Sequence, residues 1–455
     1  MNSMIFKRKI YNKLLDWKQE MSGSKALLVE GARRIGKSTI VSEFARNEYK
    51  SCLIIDFNTA GQTVKNAFTQ YLNDLDTFFM ILSSEYNVTL YPRKSLIVFD
   101  EIQRFPLARQ AVKYLVADGR YDYIETGSLI SIKENVKDIT IPSEERKLTM
   151  YPMDFEEFGW AMGEDELLNY IRRCFDARQP LEQGIHAKAM LLFRQYMIVG
   201  GMPQSLAAYL KHGRSFEKAD MEKRDILALY RDDIMKIHSS YKSGVLAIFD
   251  QIPAFLSKAE RRVVMNRLEK NATFPKYHDT FFWLADAMMV NECFNCNDPN
   301  VGLSLNEDRT YVKCYMGDTG LLVSHTFDEN EISDGALYRE MLFGKLSVNE
   351  GMFYENAIAQ MLVAAGHKLY FYTHYNAEKH RNDMEIDFLL SNNSKLKYKI
   401  YPIEVKSRPR YTTASLDKFH KRFHERIDSC YVVHPRNLQV DDFITRIPAY
   451  MVFCL

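Results

Sequence analysis

The stretch that most limits what this chain can fold into is LLVEGARRIGKSTI, residues 27–40. An apolar run leads into Gly31. Gly36, Lys37 and Ser38 come five residues later, and a helical stretch, STIVSEFARN, follows. A buried strand, a glycine-bounded turn and a helix in that order specify a P-loop. The glycines let the backbone of Gly31, Ala32, Arg33, Arg34, Ile35, Gly36, Lys37, Ser38 and Thr39 curl so that its N–H groups face phosphates. Lys37 would reach the β- and γ-phosphates, Ser38 would offer its hydroxyl to Mg²⁺, and the helix N-terminus would add its dipole. The alternative, a chance glycine turn, does not account for both flanks. ATP and Mg²⁺ are therefore the expected ligands.

A second run supports this. In SLIVFDEI, residues 95–102, four apolar residues deliver Asp100 and Glu101 at the end of a strand. Asp100 would hold Mg²⁺ through water and Glu101 would polarise the attacking water, an arrangement for hydrolysis rather than binding alone. The bland alternative is a strand ending in two solvated acids. A further strand ends in ETGS, where Thr126 or Ser128 would sense the γ-phosphate, or simply form a polar turn. KALLVEGA, SCLIIDF, SLIVFDEI, YDYIETGS and RKLTMYPM alternate with helical stretches. That alternation predicts a parallel sheet covered on both faces, ending near residue 155.

Residues 155–240 read as helical, broken by VGGMPQS (199–205). From about 243, helical stretches precede a strand-like pair, NECFNC and RTYVKCYMGD, which suggests a winged helix-turn-helix. Its first helix carries Arg261, Arg262, Arg267 and Lys270, charges that a DNA contact would want. Phe281, Phe282, Trp283 and Leu284 read as core. Such a module also serves as plain packing. A new unit starts near residue 348.

The order GARRIGKST, LIVFDEIQ, IETGSLI, MYPMDFEEF and VGGMPQ resembles the AAA+ class of P-loop ATPases. More narrowly, with KCYMGDTGLL (313–322), YENAIAQML and EIDF … IEVK, the chain is similar to a bacterial and archaeal AAA+ family with a C-terminal nuclease-fold domain. The resemblance covers nearly the whole chain. It implies an α/β fold: a P-loop AAA+ parallel sheet (1–155), a helical lid (156–240), a winged-helix-like module (241–345) and a C-terminal restriction-endonuclease-like α/β domain (346–455). It also implies that the Walker B strand neighbours the P-loop strand. An arginine from a neighbouring subunit usually completes such sites; Arg146, Arg172, Arg173 and Arg231 are candidates, and the sequence does not choose among them.

The last unit resembles the PD-(D/E)xK nuclease superfamily through MEIDFLLSNNSKLKYKIYPIEVKS, residues 384–407. A divalent metal, Mg²⁺ or Mn²⁺, needs hard oxygen ligands gathered from two adjacent strands. Asp387 and Glu404 would converge on one ion, and the Val405 carbonyl would add an oxygen. Glu404 and Lys406 are two apart and share a face, so Lys406 would orient water or stabilise charge. The resemblance adds Glu355, in the preceding helix, as a further acid. The "PD" proline is replaced by Ile386. Lys395, Lys397, Lys399, Arg408, Arg410, Lys418, Lys421 and Arg422, with Tyr398 and Tyr411, would line a phosphate path. Two alternatives stand: a solvated charged hairpin, or a nuclease fold that binds without cutting.

Composition fits this picture. At 455 residues two to four domains are expected, and 46% hydrophobic with 26% charged residues is globular. The net charge of +1 means that any DNA-binding patch is local. The charged N-terminus has no signal-peptide core, and no run is long enough to span a bilayer. Seven scattered cysteines suit a reduced, cytoplasmic setting, and Cys293 and Cys296 read as ordinary strand cysteines. The expected activity is ATP hydrolysis coupled to a DNA-directed nuclease-like domain; a nucleotide-dependent switch or scaffold is the alternative. DNA, a partner protein or further copies of the chain are the expected partners, and no membrane.

Overall fold

The structure, a computed structural model, describes residues 4–128, 142–236, 242–258, 263, 282–300, 302–328, 335–344, 350–376, 378, 380–392 and 399–455. Arg261, Arg262, Arg267, Lys270, Phe281, Lys395, Lys397 and Tyr398 lie outside the described residues. The chain divides into two compact units, Met1–Tyr151 with Asp286–Met288, and Pro152–Ala285 with Met289–Leu455.

The first unit is built on five parallel strands: β1 (Ala26–Gly31), β2 (Ser51–Asp56), β3 (Ser95–Asp100), β4 (Asp122–Ser128) and β5 (Glu145–Met150). Their order is β2-β3-β4-β1-β5. All six residues of β1 are buried, as a central strand of a parallel sheet requires, and that is why it reads as an unbroken apolar run. The expected adjacency of the Walker B strand and the P-loop strand is corrected: β4 lies between β3 and β1, pairing Ile97 with Tyr123 on one side and Leu28 with Glu125 on the other. One face is covered by the helices Gln62–Gln70, Leu75–Tyr86 and Pro106–Asp118, whose Phe68, Phe78 and Val112 join Leu53, Ile55 and Phe99 in a single core. Phe68 and Phe78 meet edge-on at 5.0 Å, the favoured geometry for aromatic pairs.

The second unit holds the remaining strands: β6 (Val290–Cys296), β7 (Glu307–Met316), β8 (Leu369–Asn376), β9 (Arg381–Asn392), β10 (Lys399–Val405), β11 (Cys430–His434), β12 (Gln439–Asp441) and β13 (Ile444–Pro448). They form one mixed sheet in the order β12-β13-β11-β10-β9-β8-β6-β7. This corrects the reading of β6 and β7 as the wing of a separate module. β6 pairs in parallel with β8, Cys293 opposite Leu369 and Asn295 opposite Phe371, so the hairpin is hydrogen-bonded into the C-terminal sheet. The boundaries expected at 240 and 345 therefore fall inside one compact unit. Cys293 and Cys296 are buried in β6, and burial raises both thiols, Cys296 to about 11.

The helices expected between 156 and 240 are present from Phe155–Ala161 to Phe216–Met235. Asp154 and Glu157 form a reciprocal cap that starts the first of them. The VGG and GDTG motifs meet in a buried node of this unit. Asp318 accepts hydrogen bonds from the Gly201 N–H (2.5 Å), the Leu321 N–H (2.9 Å) and Gln360 Nε2 (3.0 Å). A β-carbon on Gly320 would lie 2.6 Å from the Gly200 backbone, so glycine is required for the two segments to touch.

Candidate functional site

The P-loop joins β1 to the helix Lys37–Glu48. Gly36 has φ +90° and Arg34 +69°, so the loop turns through left-handed conformations that curl its amides inward. A β-carbon on Gly31 would lie 2.4 Å from the Met150 carbonyl oxygen, which fixes glycine where the loop leaves β1 beside β5. Arg8, unremarked in the sequence, fastens the loop. It donates from Nη1 to the Ile35 carbonyl (2.9 Å) and from Nη2 to the Tyr151 carbonyl (2.7 Å).

Lys37 is buried and donates to the carbonyls of Gly31 (3.1 Å) and Ala32 (2.8 Å). Burial lowers its ammonium to about 8; the Glu101 and Asp100 carboxylates pull the other way, and Arg33 adds to the lowering. Ser38 Oγ donates to Asp100 Oδ1 at 2.8 Å, and the Thr126 hydroxyl donates to the same oxygen. The fold thus brings together the ends of β1, β3 and β4: Lys37, Ser38, Asp100, Glu101 and Thr126. Thr126 is turned to Asp100. Glu101 takes a left-handed backbone, φ +54°, uncommon for a non-glycine residue, where β3 passes into the short turn of helix Ile102–Arg104. Gln103 Nε2 donates to its Oε2 at 2.6 Å.

These groups suit a magnesium nucleotide. Ser38 and Asp100 already lie within hydrogen-bond reach of each other, both offer hard oxygen, and Mg²⁺ in such sites takes few protein ligands beside phosphate oxygens and water. Of the arginine candidates, Arg172 is paired with Glu156 (2.7 Å) and Arg231 with Asp250 (3.1 Å) and Asp328 (2.7 Å). Arg146 is exposed and touches Met21 Sδ, and Arg173 is exposed on the helix Asp165–Asp176.

The second unit presents a different cluster. Glu385 and Asp387 sit two apart on β9 and share a face. Glu355, wholly buried in the helix Glu350–Ala364, accepts from the Tyr315 hydroxyl at 2.5 Å. Between them stands Lys313 of β7, itself 1% exposed: its Nζ is 3.0 Å from Glu385, 3.6 Å from Glu355 and 3.7 Å from Asp387. Asp387 Oδ2 accepts the Val405 N–H at 2.8 Å, so β10 binds this acid through an amide rather than adding a carbonyl beside it. Glu404 pairs with Lys406 at 3.0 Å. Burial raises Glu404 to about 7, helped by the Asp387 charge and opposed by Lys406 and the Leu416 N–H.

Among the described residues no three His, Cys, Asp or Glu side chains form a group able to hold a metal ion. The expected metal set of Glu355, Asp387 and Glu404 is not drawn together as such a group. An ammonium already supplies the cation that Glu355 and Asp387 need, and Glu404 is matched with Lys406 instead. In this arrangement the Lys313 ammonium stands where a cation shared by Glu355, Glu385 and Asp387 would sit. The sequence reading passed over Lys313 and Glu385. Glu385 carried a usable signal, its spacing of two from Asp387. Lys313 stood in a quoted motif but lies over forty positions from Glu355 and over seventy from Glu385 and Asp387.

Three family models match parts of the chain: an AAA domain over residues 23–159, and two domains of unknown function, DUF8612 over 190–331 and DUF4143 over 350–451. No curated protein matches. Among solved structures, the chain is similar to a Walker-type ATPase of Pyrococcus abyssi: 15% identity, 70% of this chain and 96% of that one covered, TM-score 0.41. It is also similar to AMPPCP-bound DnaA from Aquifex aeolicus (12% identity, 63% and 80% covered, TM-score 0.30). Cdc6p from Pyrobaculum aerophilum matches at 10% identity, with 76% and 97% covered and a TM-score of 0.29. At such TM-scores these likenesses bear no weight. No described helix is long and apolar enough to cross a membrane.

Proposed function

We propose that this chain, whose residues 23–159 are an AAA-type P-loop ATPase domain, hydrolyses ATP and uses the nucleotide to set how its C-terminal sheet domain engages DNA, without cutting it. The observation that favours binding over cutting is the Lys313 ammonium among Glu355, Glu385 and Asp387. A metal would have to displace that ammonium, itself buried, before these three acids could ligate it.

In the nucleotide site, the loop amides from Gly31 to Thr39 receive the phosphates, and Lys37 leaves the carbonyls of Gly31 and Ala32 for the β- and γ-phosphate oxygens. Ser38 and Asp100 would hold Mg²⁺, which neutralises phosphate charge when bound. Thr126 keeps the Asp100 carboxylate oriented. Glu101 orients the attacking water and accepts its proton, with Gln103 fixing the carboxylate. On the C-terminal domain, exposed Lys418, Lys421 and Arg422 of the helix Ala414–Phe423 offer the local positive charge for a DNA backbone that a chain of net charge +1 must concentrate somewhere.

The nuclease reading and the binding reading separate in one experiment. Circular and linear DNA are incubated with Mg²⁺ or Mn²⁺, with and without ATP, beside a salt titration of DNA affinity. Intact DNA, salt-dependent binding and ATP turnover support the binding reading. Cleavage that vanishes in Asp387→Ala would sink it and restore the nuclease.

A further inference from the structure

The C-terminal sheet carries a cavity of about 590 Å³ lined by three arginines, Arg410, Arg436 and Arg446. Arg410 and Arg436 are exposed and have no acid partner among the described residues. Arg446 is half-buried and paired with Asp441. None of the three belongs to the nucleotide site or to the Lys313 cluster.

The wall behind them is fixed from within. His434 is wholly buried; its Nδ1 lies 2.8 Å from the Tyr411 hydroxyl and its Nε2 3.1 Å from the Asn437 carbonyl. Burial, with Arg446 and Arg436 near, lowers the imidazole to about 4, so it is neutral at physiological pH. Nε2–H then donates to Asn437, and Nδ1 must accept from Tyr411. Asp441 holds Arg446 in place, while its other N–H donors and the guanidiniums of Arg410 and Arg436 remain for a ligand. A guanidinium matches the oxygens of a phosphate in pairs, which favours this anion over a smaller one.

We propose that this cavity binds the terminal phosphate of a nucleic-acid strand. The proposal rests on the reading that the C-terminal domain engages DNA. A terminal phosphate carries about −1.5 to −2 charges near neutral pH, against one for an internal phosphodiester, and three arginines facing one concavity suit the former. The volume lies in the range of roughly 300–1,000 Å³ seen for small-molecule sites. That is more than a phosphate fills and leaves room for the nucleoside attached to it. Asp417 also lines the cavity, accepting from Thr413 Oγ1 at 3.1 Å. Its charge interrupts the positive surface and disfavours a run of neighbouring phosphates, as a strand end requires.

The test uses the full chain and short single strands ending in a 5′-phosphate, a 3′-phosphate or hydroxyls only, with affinity read by fluorescence anisotropy at fixed salt. One phosphorylated strand should bind about tenfold tighter than the hydroxyl strand, and millimolar inorganic phosphate should erode that preference. Arg410→Gln with Arg436→Gln should abolish the preference and leave DNA-free ATP hydrolysis unchanged, with a thermal melt matching the wild type to show that the C-terminal unit is folded. Equal binding of all strands, or a preference that survives the double variant, would overturn the cavity assignment and leave DNA engagement standing. If no strand bound with or without ATP, the DNA reading would fail and this proposal with it. Binding of a phosphoserine peptide in place of every strand, lost in the variant, would overturn the nucleic-acid assignment and give the cavity to a protein ligand.

Discussion

At the scale of single residues, two titrating groups make the chemistry measurable. Lys37, lowered to about 8, is partly neutral above that pH and must regain its proton to meet a triphosphate. ATP binding at pH 8.5 should therefore take up protons, and affinity should fall as pH rises from 7 to 9; calorimetry in buffers of different ionisation enthalpy reads the uptake. Lys37→Ala should abolish turnover, and wild-type rates in that variant would remove the nucleotide-site assignment. Glu404 titrates in the other sense. Its folded value of about 7 lies above the ordinary 4.5, so the folded state holds an extra proton between the two. Its contribution to stability is present below about 4.5 and is lost as pH rises to 7. Glu404→Gln, which keeps the neutral shape, should be less sensitive to that rise, as urea unfolding at pH 5 and pH 8 would show. Lys37, Ser38, Asp100 and Glu101 were legible because their spacing is fixed by one strand-turn-helix geometry. The Lys313 ammonium was not, because β7 and β9 are neighbours neither in sequence nor in the sheet, and only the folded chain brings this side chain to Glu385 and Asp387.

At the scale of elements, the parallel strands of the first unit announced themselves as apolar runs, since burial on both faces removes alternation. Their order did not: nothing in YDYIETGS says that it slips between the P-loop and Walker B strands. The β6–β7 pair was recognisable as a hairpin, but its partner β8 follows it at long sequence range, and local pattern has no access to such pairing. That placement makes a testable demand on β7. Lys313→Met would strand Glu355, Glu385 and Asp387 without their cation and should cost about 3–5 kcal/mol of stability. Thermal melts should show part of that loss regained with Mn²⁺ in the variant and no Mn²⁺ effect on this unit in the wild type. A melt unchanged by the substitution would mean that Lys313 does not neutralise the cluster.

At the scale of the whole molecule, the proposal is that chemistry in one unit governs engagement by the other. Glu101→Gln keeps the shape at the end of β3 and removes the base, so it should bind ATP and turn it over at least about a hundredfold more slowly. Loaded with ATP, that variant should differ in DNA affinity from the same protein loaded with ADP. Identical affinities would leave ATPase and DNA engagement uncoupled. The family matches break the second unit into separate stretches, 190–331 and 350–451, whereas its sheet runs across both.

That continuity reaches into biosynthesis. As the chain leaves a ribosome, β6 and β7 can pair at once, but the open side of β6 waits for residue 369 to emerge and supply β8. During that interval a nascent chain displays an unpaired strand edge, able to recruit another copy of itself. A messenger truncated between the two family matches would make that interval permanent, so its product should collect as aggregate rather than as a smaller working ATPase.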